Sequence, residues 1–309
     1  MKNIIFILLF NVIFSIGGNN PWDIFNISSN ANDFSLAGSN ISEGTEGFYQ
    51  FTNPALLPKS TNIHYGVSYN MMSLDRSNQV ISVNIPLPPG AAVGLSVMRS
   101  GTSDIQGTDI FNNKTEIIQN HEMLGMISFG VSFGEYISGG INIKASYSNL
   151  DNVFGDNPQD YSINSKGIGF DGGLLFKNSK FSLGTKIENF KSSKNWNLDL
   201  SEQDRSYEED IPLIYKIGGA FNFSDRLSIY TSKDNSLNDF FLNRAGFKIV
   251  YNNLGFAYGI ILDDEQSTDF IIPVFGFHYS FKSIQLNYGI DFGSVNQGIS
   301  HIFTWTLVK

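Results

Sequence analysis

The chain has no cysteine, only four histidines, and no apolar run approaching the roughly twenty residues that a membrane-crossing helix requires. The first absence excludes disulfides, thiolate metal sites and a lipid-modified cysteine anchor. Basic residues are also scarce: 20 Lys and Arg against 29 Asp and Glu give a net charge of −9, with no basic stripe for nucleic acid. Segments of helical period are missing as well, so nothing in the sequence could cover an apolar sheet face with helices. What the chain does have is 27 Phe, 13 Tyr and 30 Gly. That mixture is odd for a water-soluble core and natural where alternate residues meet lipid and aromatics form interfacial girdles.

Fourteen segments of roughly ten residues alternate apolar with polar or small residues: 62–73, 78–87, 91–101, 121–133, 136–149, 165–177, 180–190, 212–223, 226–232, 241–251, 254–263, 270–281, 283–292 and 299–309. From 271 to 281 the odd positions include Ile271, Pro273, Phe275, Phe277, Tyr279 and Phe281, against Gly276, His278 and Ser280 on the even ones. That is period two with one greasy face. Alternate connections are tight turns, Pro88-Pro89-Gly90, Gly134-Glu135, Asn178-Ser179, Ser224-Asp225, Asn252-Asn253 and Lys282. The intervening ones are mostly longer and polar, and 102–120 and 191–211 read as loops of about twenty residues. Sorting of loops by parity predicts an all-β fold, a transmembrane antiparallel β-barrel of about 14 strands spanning 62–309, with both chain ends on the periplasmic rim. The expected partner of its outer face is outer-membrane lipid.

Residues 1–18, with Lys2 followed by the apolar stretch from Ile4 to Ile16 and small residues at Ser15 and Gly17, read as a secretory signal peptide. That implies a diderm bacterium and the outer membrane. Residues 19–61 do not alternate and are too long for a tail; they are expected to fill the lumen as a hatch. Acidic residues cluster at Asp199, Glu202, Asp204, Glu208, Glu209 and Asp210, and again at Asp263, Asp264, Glu265 and Asp269. Such clusters suit a divalent cation or a solvated loop, and no EF-hand spacing favours the former.

Two chemical motifs fail on context. Gly167-Ile168-Gly169-Phe170-Asp171-Gly172 matches the dinucleotide fingerprint but lies inside a strand with no helix after it. His64, His121, His278 and His301 are scattered over separate strands, without an orienting group or oxyanion hole, so the expectation is no enzyme, no cofactor and no metal.

Ser35-Leu36-Ala37-Gly38-Ser39 followed by Phe48-Tyr49-Gln50-Phe51-Thr52-Asn53-Pro54-Ala55-Leu56-Leu57-Pro58 resembles the N-terminal signature of the PorV/PorQ family and of the larger FadL-type channels. The strand 168–177 with its central Asp171, and the strand 181–189 after it, are similar to later parts of that family. The chain departs from the pattern after Gly38, where Ser39-Asn40-Ile41 replaces Gly-Gly-Ala. The resemblance implies a hatch anchored through Asn53, Pro54 and Ala55. Physically, Pro54 biases Asn53 away from helical backbone, and the short Asn side chain can bond nearby backbone.

If the alternation holds, Lys144, Lys177, Lys186, Lys216, Arg244 and Lys248 face the lumen with Asp171, Glu188 and Asp291. Buried charges need partners, and the wall acids or Asp33, Glu43 and Glu46 of the hatch could supply them; a wet, ion-lined channel is the alternative. The family resemblance implies an accessory of type IX secretion, binding secreted cargo or secretion-machinery proteins through its outer loops. The alternative is a FadL-like transporter of hydrophobic small molecules, using the inward apolar set Leu124, Met126, Leu175, Tyr230, Ile261 and Ile302. A barrel with a purely structural role is the third reading.

Overall fold

The computed structural model describes residues 24, 27–108, 112, 114–151, 161–200, 203–236, 241–263, 270–292 and 298–309. The leader expected at 1–18 lies outside these, as do Glu202, Asp264, Glu265 and Asp269 of the acidic clusters. Fifteen strands follow a short helical region: β1 His64–Met71, β2 Arg76–Leu87, β3 Ala91–Thr108, β4 Lys114–Phe133, β5 Ile137–Asp151, β6 Tyr161–Lys177, β7 Phe181–Leu200, β8 Gln203–Asp210, β9 Ile214–Ser224, β10 Leu227–Ser236, β11 Phe241–Tyr251, β12 Leu254–Asp263, β13 Phe270–Phe281, β14 Ile284–Asp291 and β15 Ser300–Val308. Apart from β8 with β9, sequence neighbours pair antiparallel, and β1 pairs β15 from His64↔Val308 to Met71↔His301, closing the barrel. β8 and β9 both pair with β7, β8 along its upper part and β9 along its lower part. They are two halves of one stave, so the closed barrel has fourteen.

Period two dictates the two faces. In β1, His64, Gly66, Ser68 and Asn70 point inward and are buried, while Tyr65, Val67, Tyr69 and Met71 point outward and are exposed. The outward set elsewhere includes Ile127, Phe129, Phe133, Leu174, Leu183, Phe277, Tyr279 and Trp305, all exposed. An apolar exterior around a polar interior is the reverse of a water-soluble protein, and lipid is the solvent that satisfies it.

The staves are unequal. β3, β4, β5, β6 and β7 hold 18, 20, 15, 17 and 20 residues, whereas β9 to β15 hold 8 to 12. At about 3.3 Å per residue the long staves reach far beyond an apolar band of about 25 Å. They build, with β8, a tall flank on the rim opposite the tight turns. This corrects the loops expected at 102–120 and 191–211: β3 runs on to Thr108, β4 starts at Lys114, β7 reaches Leu200, and β8 fills most of the rest. Above the membrane both sheet faces meet water, so the apolar alternation disappears while backbone pairing continues.

Inside the barrel lie α1 (Ala31–Ser35), α2 (Tyr49–Thr52) and a 3₁₀ segment, Pro54–Lys59. Asn30 caps α1 by accepting from Asp33 N at 3.0 Å, and Asn53 caps the 3₁₀ segment by accepting from Ala55 N at 3.0 Å with Pro54 in the first position. Gly38, Gly44 and Gly47 adopt positive φ, which lets the chain turn repeatedly within the lumen.

Candidate functional site in the lumen

The inner segment sits on a ring of glycines. Gly66 (β1), Gly94 (β3), Gly130 (β4), Gly140 (β5), Gly173 (β6), Gly184 (β7), Gly218 (β9), Gly246 (β11), Gly259 (β12), Gly276 (β13) and Gly289 (β14) all face inward, and a Cβ at any of them would collide with residues 31–58. Phe48 lies on Gly66, Gln50 on Gly94, Pro54 on Gly130 and Gly140, Asn53 on Gly173, Ile41 on Gly184 and Gly218, and Ser35 on Gly276. The three staves without such a glycine offer hydroxyls instead. Gln50 Nε2 donates to Ser82 Oγ at 2.6 Å, Ala31 N donates to Thr304 Oγ1 at 2.8 Å, and Ser232 Oγ donates to Gly38 O at 3.4 Å. Gly130, Gly140 and Gly173 are direct cross-strand neighbours, as are Gly184 with Gly218 and Gly276 with Gly289. Between groups the ring steps in register, as tilted staves require.

Asn53, Pro54 and Ala55 are therefore wall contacts. Asn53 is fully buried, and its Nδ2 donates to Leu174 O at 3.3 Å and Thr185 O at 3.2 Å. Ser138 Oγ donates to Ala55 O at 2.7 Å, and Asn142 Nδ2 to Gln50 O at 2.9 Å.

One layer above the ring, a belt of charges crosses six staves. Lys144 Nζ lies 2.6 Å from Asp171 Oδ1, Lys186 Nζ 2.7 Å from Glu188 Oε1, Lys216 Nζ 2.9 Å from Glu188 Oε2, and Arg244 Nη2 3.0 Å from Asp234 Oδ2. Longer contacts of 3.9 Å join Lys186 to Asp171 and Lys216 to Asp234, making the belt continuous. Two of its cations also hold the hatch: Lys186 Nζ donates to Phe51 O at 2.7 Å and Arg244 Nη1 to Ala37 O at 2.8 Å.

The other inward charges stand apart. Lys177 pairs with Glu43 at 2.9 Å, Lys248 donates to Asn32 Oδ1 at 2.9 Å, and Asp291 faces the lumen across from the belt. Asp33 takes no wall ion pair within 4 Å; it accepts from Asn40 Nδ2 at 2.6 Å, Thr45 Oγ1 at 2.5 Å and Thr52 Oγ1, all within the hatch. Glu46 accepts from Gln285 at 2.6 Å and lies 3.5 Å from His64, whose hydrogen bond holds its carboxyl below the usual carboxylate range.

Asp234 is a belt member that the sequence reading missed, because the segment there was ended at Ser232. One further inward position, two residues on, reaches it. Lys194, 3.5 Å from Glu122 above the belt, lies in the stretch 191–211 that reads as a loop, whereas Glu122 stands at the start of the segment 121–133.

Between hatch and belt lies a cavity of about 510 Å³. One arc of its wall is the belt; the other carries Met98, Leu124, Met126, Ile261 and Val274, and the hatch adds Ile24 and Phe51. Beside the belt the wall is broken. Asn189 and Lys191 both take left-handed backbone, at φ 60° and 48°, and the β6–β7 register shifts twice between Ile168↔Ser193 and Gly172↔Ile187. On the other edge of β7, residues 211–213 separate β8 from β9. The Asn189 amide donates inward to Asp171 Oδ1 at 3.0 Å, and its side chain receives Lys144 Nζ at 2.6 Å. Such a double bulge gives up ladder bonds across the wall.

Among the described residues no three His, Asp or Glu side chains converge to hold a metal ion. No family model matches the chain, and no curated protein matches it. Solved structures do. The monoaromatic hydrocarbon channel CymD has 14% identity and a TM-score of 0.68 over 91% of this chain and 97% of that one. The Ralstonia pickettii toluene transporter TbuX has 11% identity and a TM-score of 0.65 over 92% and 100%. A Pseudomonas aeruginosa FadL homologue has 12% identity and a TM-score of 0.59 over 91% and 98%. With its lipid-facing exterior, inserted hatch and closed fourteen-stave wall, the chain is a bacterial outer-membrane β-barrel of the FadL-like fold.

Proposed function

We propose that this barrel passes small hydrophobic molecules bearing a polar end from the outside into the outer membrane, without a covalent step. The observation that carries the proposal is the two-sided cavity above the hatch: an apolar arc of Met98, Leu124, Met126 and Val274 opposite the charged belt. Methionines adapt to irregular apolar shapes, and a volume of about 510 Å³ suits a compact ligand. The belt charges in the cavity lining are engaged with one another. Below the cavity the glycine-seated hatch closes the direct path. The bulged wall at 189–191, level with Asp171 and Lys144, therefore supports a sideways exit.

The test is uptake of a hydrophobic fluorophore into the membrane of proteoliposomes, together with equilibrium binding to the purified protein. Met126→Trp fills the cavity and is expected to abolish both. Deleting Asn189 and Lys191 restores the in–out alternation of Glu188, Phe190 and Ser192, and is expected to slow uptake while leaving binding intact. Wild-type binding and uptake in the Met126→Trp variant would overturn the reading.

A second reading, an accessory of type IX secretion, is favoured by one feature, the tall flank of β3–β8 that extends beyond the membrane. It predicts that cutting this flank back impairs partner capture while cavity binding is unchanged.

A further inference from the structure

The outer face of the barrel carries a groove of about 520 Å³ at the lower ends of β11 to β15, separate from the lumen. Its walls are Ile249, Tyr251, Phe256, Phe277, Leu286 and Trp305, all on the lipid-facing side of their strands and almost wholly apolar. All of them lie within a few residues of the tight turns, so the groove belongs to the periplasmic leaflet of the membrane. The rim beneath it is basic. Arg226, in the turn before β10, places its guanidinium 5.4 Å from the Tyr251 ring centroid, and Lys282, in the turn between β13 and β14, lies 5.3 Å from the Phe281 ring centroid. Lys309 follows β15, and Asp225 is the single carboxylate in these turns. Such stacking fixes the cations at the level where headgroups meet acyl chains.

We infer that this groove is a binding site for one anionic phospholipid of the periplasmic leaflet, with an acyl chain between the aromatic walls and the phosphate between Arg226 and Lys282. Membrane location requires some lipid against this face. What makes the site selective is the pairing of a shaped apolar groove with a cationic rim, in a chain whose net charge is −9. The occupant is a structural lipid and is independent of whatever the lumen carries.

The test is native mass spectrometry of the intact protein released from nanodiscs containing equal amounts of phosphatidylglycerol and phosphatidylcholine. One retained phosphatidylglycerol per barrel is expected, and Arg226→Gln with Lys282→Gln should lower its retention roughly tenfold or more. Lys180→Gln, a rim lysine away from the groove, serves as the control and should leave retention unchanged, as should Arg226→Lys with the rest intact. Phe277→Ala, which opens the groove without touching charge, should also weaken retention. Equal retention of the two lipids, or loss in the Lys180→Gln control matching that of the double variant, would overturn the inference. A lipid-free dimer broken by Phe277→Ala would also overturn it, assigning the groove to a second copy of this chain.

Discussion

The lower and upper halves of the lumen solve opposite problems with the same alternating strands. At the level of the hatch the inward positions of eleven staves are glycine, so residues 31–58 pack directly against the wall. One layer up, the inward positions carry long charged or apolar side chains, and the hatch leaves a cavity. The contrast teaches that barrel bore alone does not decide what is open. A fourteen-stave barrel is wide everywhere, and the size of the side chain on one residue in two determines whether a level is sealed or hollow.

The sharpest way to break the comparison is to put a side chain into the sealed level. Gly140→Val places carbon atoms on the backbone of Pro54, and the hatch has to leave its seat. The cost is expected at about 3 kcal/mol, at the top of the range for overpacking. It should appear as a lower urea midpoint and as raised single-channel conductance; a closed channel of wild-type stability would show that the ring is not the seat. Nearly as large an effect is expected in the upper half from Asp171→Asn, which removes the carboxylate 2.6 Å from the buried Lys144. Removing one partner of a buried pair typically costs about 3–5 kcal/mol, reduced here by the other acids of the belt. The double change Asp171→Leu with Lys144→Met should recover part of that loss, measured again by urea midpoint.

A smaller effect separates hatch anchors from belt members. Lys248 and Lys177 touch the hatch, whereas Lys216 bonds Glu188 and Asp234 in the wall. Lys248→Met should speed hydrogen exchange of the α1 amides, and Lys216→Met should not. The smallest effect is at Glu46. Its carboxyl is held below the ordinary value by His64 in the folded state, so its contribution is fully present above the unfolded carboxylate pKa and lost as pH falls through the folded one. Glu46→Gln should therefore flatten the acid side of the stability profile slightly, read by thermal unfolding at stepped pH.

Much of the wall was legible as text. Period two from Ile271 to Phe281 and the parity of the turns follow from lipid on one side and a polar lumen on the other, which constrain every second residue. The inward orientation of all nine named charges follows from the same rule. The upper flank was not legible, because strands wetted on both faces pair through backbone groups that no side-chain pattern reports. The belt was half legible: its members could be named, while Asp234 and the role of Asn189 depended on a strand end and a bulge.

The glycine ring shows where the boundary falls. Each glycine stands in the sequence at an inward position, and nothing local distinguishes Gly140, which seats Pro54, from the inward Gly169, which meets Ser192 and Lys144 instead of the hatch. The amino-acid sequence by itself determined the barrel, its lipid-facing exterior, the inserted segment before β1 and the identity of the inward charges, because these depend on alternation along single strands. Tertiary structure decided which glycines form the seat, which charges meet, where the wall breaks and where a cavity remains. Those depend on register between strands far apart in the chain, and register is set by the closed cylinder as a whole.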